Sequence, residues 1–185
     1  MKKIKLGKLI KVIHGFAFDS DKYVDKSGYR LVTLGNFKEG DNSFNWNDAK
    51  AKYTSEYPER RFVLDEDDLI LPLTEQVIGL FGNSAFIPKA NGFKFVLNQR
   101  VGKIEIISPD IDKNYLHYLL ASSYVKKQLE DRASGTKQRN ISPDDVYDVQ
   151  VEIPAIEEQV KVGTFLREIE HKIELNNTIN DNLCA

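Results

Sequence analysis

The sequence predicts an α+β protein. A mixed-sheet domain carrying a packed helix occupies residues 1–154, and one long C-terminal helix with a coiled-coil seam occupies residues 155–185. Three observations carry this expectation. Short β-branched and aromatic runs recur between turn signals through residues 29–107. Apolar residues then repeat at helical spacing from Lys113 onward. Beyond Pro154 there is no further proline and a single glycine, Gly163, so nothing interrupts a helix.

The first strand candidate is 29–34, following a Ser27-Gly28 turn. Further candidates are 61–64, 69–73, 77–81 and 93–97. They are separated by the acidic run 65–68, by Gly82-Asn83 and by Asn91-Gly92. Residues 101–107 alternate, with Ile104 and Ile106 on one face and Lys103 and Glu105 on the other, the pattern of a half-buried strand. Pro109 closes it. Asp112 then caps a helix running from Lys113 to about Gly135, whose apolar face is Tyr115, Leu116, Leu119, Leu120, Tyr124 and Leu129. The segment 135–140 is too polar for either element. Ser142-Pro143-Asp144-Asp145 opens a short helical turn, residues 147–153 alternate as a strand, and Pro154 stops it.

In the C-terminal segment, Leu166, Ile169, Ile173, Asn176, Asn180 and Leu183 follow 3-4-3-4-3 spacing, a coiled-coil seam with two polar positions. The helix would be roughly 40 Å long at the standard rise. With no later element in the chain to cover its stripe, which also includes Ile179, a partner helix is expected. Asn176 and Asn180 either fix register or mark fraying near the helix end.

Composition narrows the function. The 185 residues are 41% apolar and 29% charged, as in a globular protein, and 26 Lys and Arg against 28 Asp and Glu leave a net charge of −2. Any basic surface must therefore be local. A single cysteine, Cys184, excludes an internal disulfide and a thiolate zinc cluster, and His14, His117 and His171 lack metal-ligand spacing. No apolar run is long enough to span a bilayer. Lys2, Lys3 and Lys5 are followed by Gly7, Lys8 and Lys11 rather than a signal-peptide core, so a cytoplasmic protein is expected.

Catalytic signatures are missing. There is no phosphate-binding glycine loop, no Gly-x-Ser-x-Gly elbow and no methyltransferase fingerprint. Pro143-Asp144 with Glu170-His171-Lys172 matches a metal-dependent nuclease on paper, but the second pair falls inside the long helix. The run 65–68 reads as a solvated turn or, alternatively, a cation site.

The remaining motifs form an ordered set. They are His14-Gly15-Phe16-Ala17-Phe18-Asp19-Ser20, Tyr23, Gly28-Tyr29-Arg30-Leu31-Val32 and Gly35-Asn36. Then come Leu97-Asn98-Gln99-Arg100-Val101-Gly102, Gly135-Thr136-Lys137-Gln138-Arg139-Asn140-Ile141, and Ile153-Pro154-Ala155 with Glu158-Gln159 and Phe165-Leu166. Together they resemble the specificity subunit of type I restriction–modification enzymes. The resemblance implies a target recognition domain over 1–154 and a spacer helix over 155–185, with no chemistry and no cofactor of its own. The implied partners are double-stranded DNA, methyltransferase subunits and, through the complex, a translocating restriction subunit. Such subunits usually carry two units in tandem, each reading half of a split target, with their helices paired antiparallel. This chain carries one of each. That leaves open a half-size subunit that homodimerises through its helix, a truncated or phase-variable allele, or a fragment of a longer chain.

Candidate DNA-binding residues follow. Thr136, Lys137, Gln138 and Arg139 form a polar loop with two cations suited to phosphates, or a loop that simply packs. Gln99 and Arg100 suit adenine and guanine edges, or open a strand. Tyr23, Lys26, Arg30, Asn36, Lys38, Asn42, Asn45, Trp46 and Asn47 cluster in the first third, and the polar stretch 42–47 suits base reading or an ordinary surface loop. Thr74, Glu75 and Gln76 sit between strand candidates where they could reach a groove, and Lys50, Lys52, Arg60 and Arg61 form either a basic strip or a solvated face. The dimer seam is Leu166, Ile169, Ile173, Asn176, Ile179 and Leu183. A coiled-coil interaction protein without DNA is the competing class; it keeps the helix and leaves the polar loops unexplained.

Overall fold

The computed structural model describes residues 1–40, 42–46 and 48–183; Asn47 and Cys184 lie outside the described residues. In chain order the strands are β1 (Lys2–Lys5), β2 (Ile10–His14), β3 (Tyr23–Val24), β4 (Tyr29–Val32), β5 (Tyr53–Thr54), β6 (Val63–Leu64) and β7 (Leu69–Pro72). They continue with β8 (Thr74–Glu75), β9 (Ala85–Phe86), β10 (Lys94–Leu97), β11 (Val101–Ile106), β12 (Arg139–Asn140) and β13 (Gln150–Ile153). The helices are α1 (Lys113–Leu120), α2 (Ser123–Arg132), α3 (Pro143–Tyr147) and α4 (Ile156–Leu183). This is the mixed α+β architecture expected, ending in the long helix.

Two larger sheets organise the domain. One has the order β3-β5-β4-β10-β6 and is mixed, because β10 runs parallel to β4 and antiparallel to β6. The other, β2-β11-β7-β9, is antiparallel throughout. β7 explains why its sequence is a continuous apolar run. Leu69 and Leu71 enter a core roofed by α1, α2 and α3, while Ile70 enters a second core shared with Leu31, Phe95 and Val101. A strand buried on both faces has no polar face to alternate with.

Several expectations are corrected. Residues 77–81 are a tight turn, not a strand: the Glu75 carboxylate (Oε2) accepts from the backbone N–H of Leu80 (3.0 Å) and Phe81 (3.2 Å), and Gly79 adopts φ +104°. The single helix expected from Lys113 to Gly135 is two, because Ser122 takes an extended conformation and its hydroxyl caps α2 by accepting from Val125 N at 3.3 Å. The polar segment 135–140 ends in a short strand, since β12 pairs with β8 in the register Arg139↔Glu75 and Asn140↔Thr74. Tyr147 closes α3 rather than opening β13. The Lys-rich N-terminus supplies β1, which pairs antiparallel with β13, and Ile10–His14 supplies β2; neither had been assigned as a strand from sequence.

The largest correction concerns α4, which does have an element of its own chain to pack on. It lies along α1, using small and polar residues. Gln159 is fully buried; it accepts from Asp112 N (3.1 Å) and donates to the carbonyls of Asp110 (2.9 Å) and Pro154 (3.0 Å). At Gly163 the two helices come so close that a Cβ would sit 2.6 Å from Tyr115 N, which only glycine permits. One turn on, the Arg167 guanidinium stacks 4.2 Å from the Phe86 ring centre, and Glu170 accepts from Tyr118 Oη at 2.9 Å and Arg167 Nη1 at 2.8 Å. The opposite face keeps Val162, Phe165, Ile169, Ile173, Ile179 and Leu183 exposed, with Phe165 at 61%. Docking therefore leaves the rest of the apolar stripe open, although Leu166 of the seam is half-buried. Among the described residues, no helix is long and apolar enough to cross a membrane.

Candidate nucleic-acid interface

The fold brings Thr74, Gln76, Gln99, Arg100 and Gln138 to one surface although they are spread over 65 positions of sequence. β11 begins at Val101, so Gln99 and Arg100 form the turn that enters it, and β7 and β8 deliver Thr74 and Gln76 beside that turn. Two adjoining concavities share Gln99 and Arg100. One, of about 490 Å³, adds Thr74, Gln138, Asn140 and His14; the other, of about 350 Å³, adds Gln76, Asn98, Lys52 and Tyr23. The shared ridge thus presents a glutamine amide and a guanidinium, flanked by further amides. Lys52 is held there with its ammonium 5.5 Å from the Tyr23 ring centre.

The loop Gly135–Arg139 splits its two cations. Lys137 is exposed. Arg139 is turned inward: Nη1 lies 2.9 Å from Glu75 Oε1, Nη2 donates to the Glu130 carbonyl at 2.7 Å, and the guanidinium lies 5.7 Å from the Phe81 ring centre. Glu75 is 1% exposed, so Arg139 compensates a carboxylate that burial would otherwise make costly. Thr74 is likewise buried and donates to Asn140 Oδ1 at 2.8 Å, which ties β8 to β12. Thr136 is exposed and Gln138 half-buried.

Asn36, Asn45 and Arg30 brace loops rather than line the ridge; Thr33, Leu34 and Gly35 of the loop that Asn36 and Asn45 hold do line the second concavity. Asn36 is buried and braces its own loop, accepting from Thr33 N (2.8 Å) and donating to the Asn45 carbonyl (2.9 Å). Asn45 returns a bond to the Gly35 carbonyl at 2.9 Å. Beneath them Arg30, 3% exposed, pairs with Asp48 at 2.6 Å, bonds the Trp46 carbonyl and stacks between Trp46 and Phe93. Trp46 covers Phe44 and Phe95 and lines a separate cleft of about 530 Å³ whose far wall is Arg167, His171 and Glu174 of α4. Lys38 is exposed on the chain leading to that loop, and its carbonyl accepts from Asn83 Nδ2 at 2.6 Å. Of the basic strip, Arg60 pairs with Asp65 (2.5 Å) and Arg61 with Glu59 (2.9 Å); Lys52 alone joins the concavities.

Tyr23, one of the first-third candidates, lines the second concavity; sequence reasoning missed His14 as a lining residue and missed the exposed pair Val77-Ile78, at 64% and 67%. The apolar run 77–81, with only Gly79 interrupting it, read as a strand.

Electrostatic anchoring is concentrated behind this surface, at α4. Burial pushes the Glu170 carboxyl upward, but His117, Arg167 and Tyr118 outweigh it and hold the group down at about 2. The same contact, with burial first, raises the Tyr118 hydroxyl, so Tyr118 stays a neutral donor. His117 is fully buried, with Nδ1 2.8 Å from Ser84 Oγ and Nε2 3.6 Å from Glu170 Oε1. Among the described residues no group of three His, Cys, Asp or Glu side chains could hold a metal ion.

Residues 1–185 match the family described as the type I restriction modification DNA specificity domain. The Type I restriction enzyme MjaVIII specificity subunit of Methanocaldococcus jannaschii is 29% identical over 176 residues, which is 93% of this chain and 40% of that one. A chain from a study of complex assembly and conformational transition of the type I R-M system superposes with TM-score 0.65 at 16% identity, covering 98% of this chain and 41% of its own. The S subunit of the type I restriction–modification system from M. genitalium gives 0.61 at 14% identity, covering 98% and 44%. The HsdS subunit from Thermoanaerobacter tengcongensis gives 0.60 at 15%, covering 96% and 39%. The structural likenesses establish a shared fold. This chain spans about two fifths of the length of each of these relatives.

Proposed function

The chain belongs to the type I restriction modification DNA specificity family, and from that premise we propose that it is a non-catalytic reader of one half of a bipartite duplex target. The observation that carries this reading is the Gln99–Arg100 ridge between two amide-lined concavities. Glutamine offers a donor and an acceptor to adenine, and arginine offers paired donors to guanine. Exposed Lys52 beside Gln99 and Arg100, exposed Lys137 on the loop after α2 and exposed Lys38 next to the turn 77–81 supply phosphate contacts that fix register without reading sequence. Thr136, Gln76 and Gln138 extend the polar surface, while Arg139, Thr74, Asn36 and Asn45 hold its loops in shape.

The exposed stripe of α4 docks a second such helix, that of another copy of this chain, through Leu166, Ile169, Ile173, Ile179 and Leu183, with Asn176 setting register. A helix of 28 residues spans about 42 Å at the standard rise, so two antiparallel copies set two readers about one turn of DNA apart. Methyltransferase subunits dock on this assembly, and a restriction subunit joins through them. The work is done in the cytoplasm, where the DNA is.

The test is a gel shift of the chain with its methyltransferase subunits across a salt series. Lys38, Lys52 and Lys137 together predict a slope of log affinity against log salt of about −3 per reader. A shallow or absent salt dependence would reject the DNA reading in favour of a protein-only coiled-coil role.

A further inference from the structure

The tip of the turn after β8 is built in a way that DNA reading through hydrogen bonds does not explain. Val77 and Ile78 are adjacent, β-branched and apolar, and stand 64% and 67% exposed directly after Gln76, which lines the concavity with Lys52, Gln99 and Arg100. A pair of exposed apolar residues is unremarkable on a loose loop. This loop is not loose. The buried Glu75 carboxylate fastens its far limb through Leu80 N and Phe81 N, at 3.0 and 3.2 Å, and Arg139 compensates that charge at 2.9 Å. Gly79 makes the reversal at φ +104°, where a side chain would be strained. Lys126 reaches up from α2 to the Gly79 carbonyl (3.4 Å) and to Asn83, and Phe81 is sunk in the core. A buried ion pair, a left-handed glycine and a core phenylalanine therefore hold two apolar side chains out into water in one fixed position. Buried charge of this kind defines geometry more than it adds stability.

The surroundings say what that position faces. Gln76, the residue before the pair, lines the concavity with Lys52 and Arg100. Lys38 lies on the other side, joined to the base of the turn through Asn83. Glu39, whose side chain lies against Gly79, is the acid on that flank. A two-residue apolar tip is too small to be a protein interface, and the cations Lys52 and Arg100 in the concavity that Gln76 shares match a polyanion.

We propose that Val77 and Ile78 form a rigid apolar wedge that enters a groove of the duplex and presses between base pairs, unstacking one step of the half-site. The proposal rests on the DNA-reading function above and adds to it a mechanical role, in which affinity depends on how easily that step deforms. Flexible pyrimidine–purine steps would then be favoured under the tip.

The experiment uses the chain assembled with its methyltransferase subunits, on a duplex carrying the recognition sequence read by methylome sequencing. 2-Aminopurine is walked through that duplex and its fluorescence reports unstacking. With the unaltered chain, fluorescence should rise at one step inside the half-site. In Val77→Ser/Ile78→Ser that rise should fall at least about threefold, the value of a lost apolar contact, while fluorescence at the methylated base itself is unchanged. Both residues are exposed, so the thermal midpoint should hold; Ile78→Thr, which keeps the β-branch, gives a milder variant with the same direction. An identical fluorescence profile in wild type and double variant would overturn the wedge. So would loss of methyltransferase subunits from the complex with the profile intact, since that marks a protein contact. Failure of the unaltered complex to bind DNA at all would instead remove the functional reading and the wedge with it.

Discussion

The two long faces of α4 exchange the usual roles of polar and apolar surface. On one, Gln159, Gly163 and Glu170 are covered by α1, and Arg167 lies on Phe86. On the other, Val162, Phe165, Ile169 and Ile173 stand in solvent. Hydrogen bonds and ion pairs are directional, so the first face sets the angle at which the helix leaves the domain. Apolar burial is non-directional and roughly proportional to area, so the second face can supply association energy to a partner without disturbing that angle. The proposed spacer role needs both, and each has its own stripe. The loop after α2 repeats the contrast on a small scale, with Arg139 turned in to Glu75 and Lys137 turned out.

Each half of this contrast can be broken separately. The largest effect is expected from Ile169→Glu/Ile173→Glu, which should weaken self-association at least about 100-fold in sedimentation, through loss of apolar burial and added like charge. The thermal midpoint of the domain should stay unchanged. Next is Arg139→Ala, which strands the Glu75 carboxylate and should cost about 3 kcal/mol in denaturant unfolding. Lys137→Ala should leave stability within about 0.5 kcal/mol. Gly163→Val forces α4 off Tyr115 and should cost about 2 kcal/mol, with Gly163→Ala less damaging.

Glu170→Gln is smaller, on the order of 1–2 kcal/mol, and carries a pH signature. The folded carboxyl titrates at about 2, below the ~4.3 of an unfolded glutamate. Its contribution is therefore complete above about pH 4.3 and is lost as pH falls through 2. Trp46, the sole tryptophan, lines the cleft beside Arg167 and His171, so its fluorescence should report helix undocking in that window. The variant should lack the transition. The smallest effect is on DNA: Lys137→Ala should weaken binding uniformly across sequences and reduce the salt slope by about 1.

Legibility from sequence followed how local each cause was. α4 and β11 were readable because periodicity is written in consecutive residues. The break between α1 and α2 was hidden because Leu119, Leu120 and Tyr124 keep helical spacing across it while Ser122 caps the next helix. The turn 77–81 mimicked a strand because its closure comes from Glu75 and Arg139, 64 positions apart in sequence. β1 carries three lysines and one isoleucine, and only its pairing with β13 makes it a strand. The surface candidates were identifiable by type, but their meeting at the Gln99–Arg100 ridge is a product of the β7–β11 pairing. Which face of α4 docks was not legible, because the docked face is polar and Gly163 reads as a weak point rather than a contact.

The account stands most directly on the target sequence. Methylome sequencing of a host in which this chain is the only specificity component, expressed with its methyltransferase subunit, should reveal two identical half-sites in inverted orientation, their centres about one helical turn apart. An asymmetric bipartite target from that system would contradict pairing of two copies through α4, and the absence of any methylated target would contradict the reading altogether.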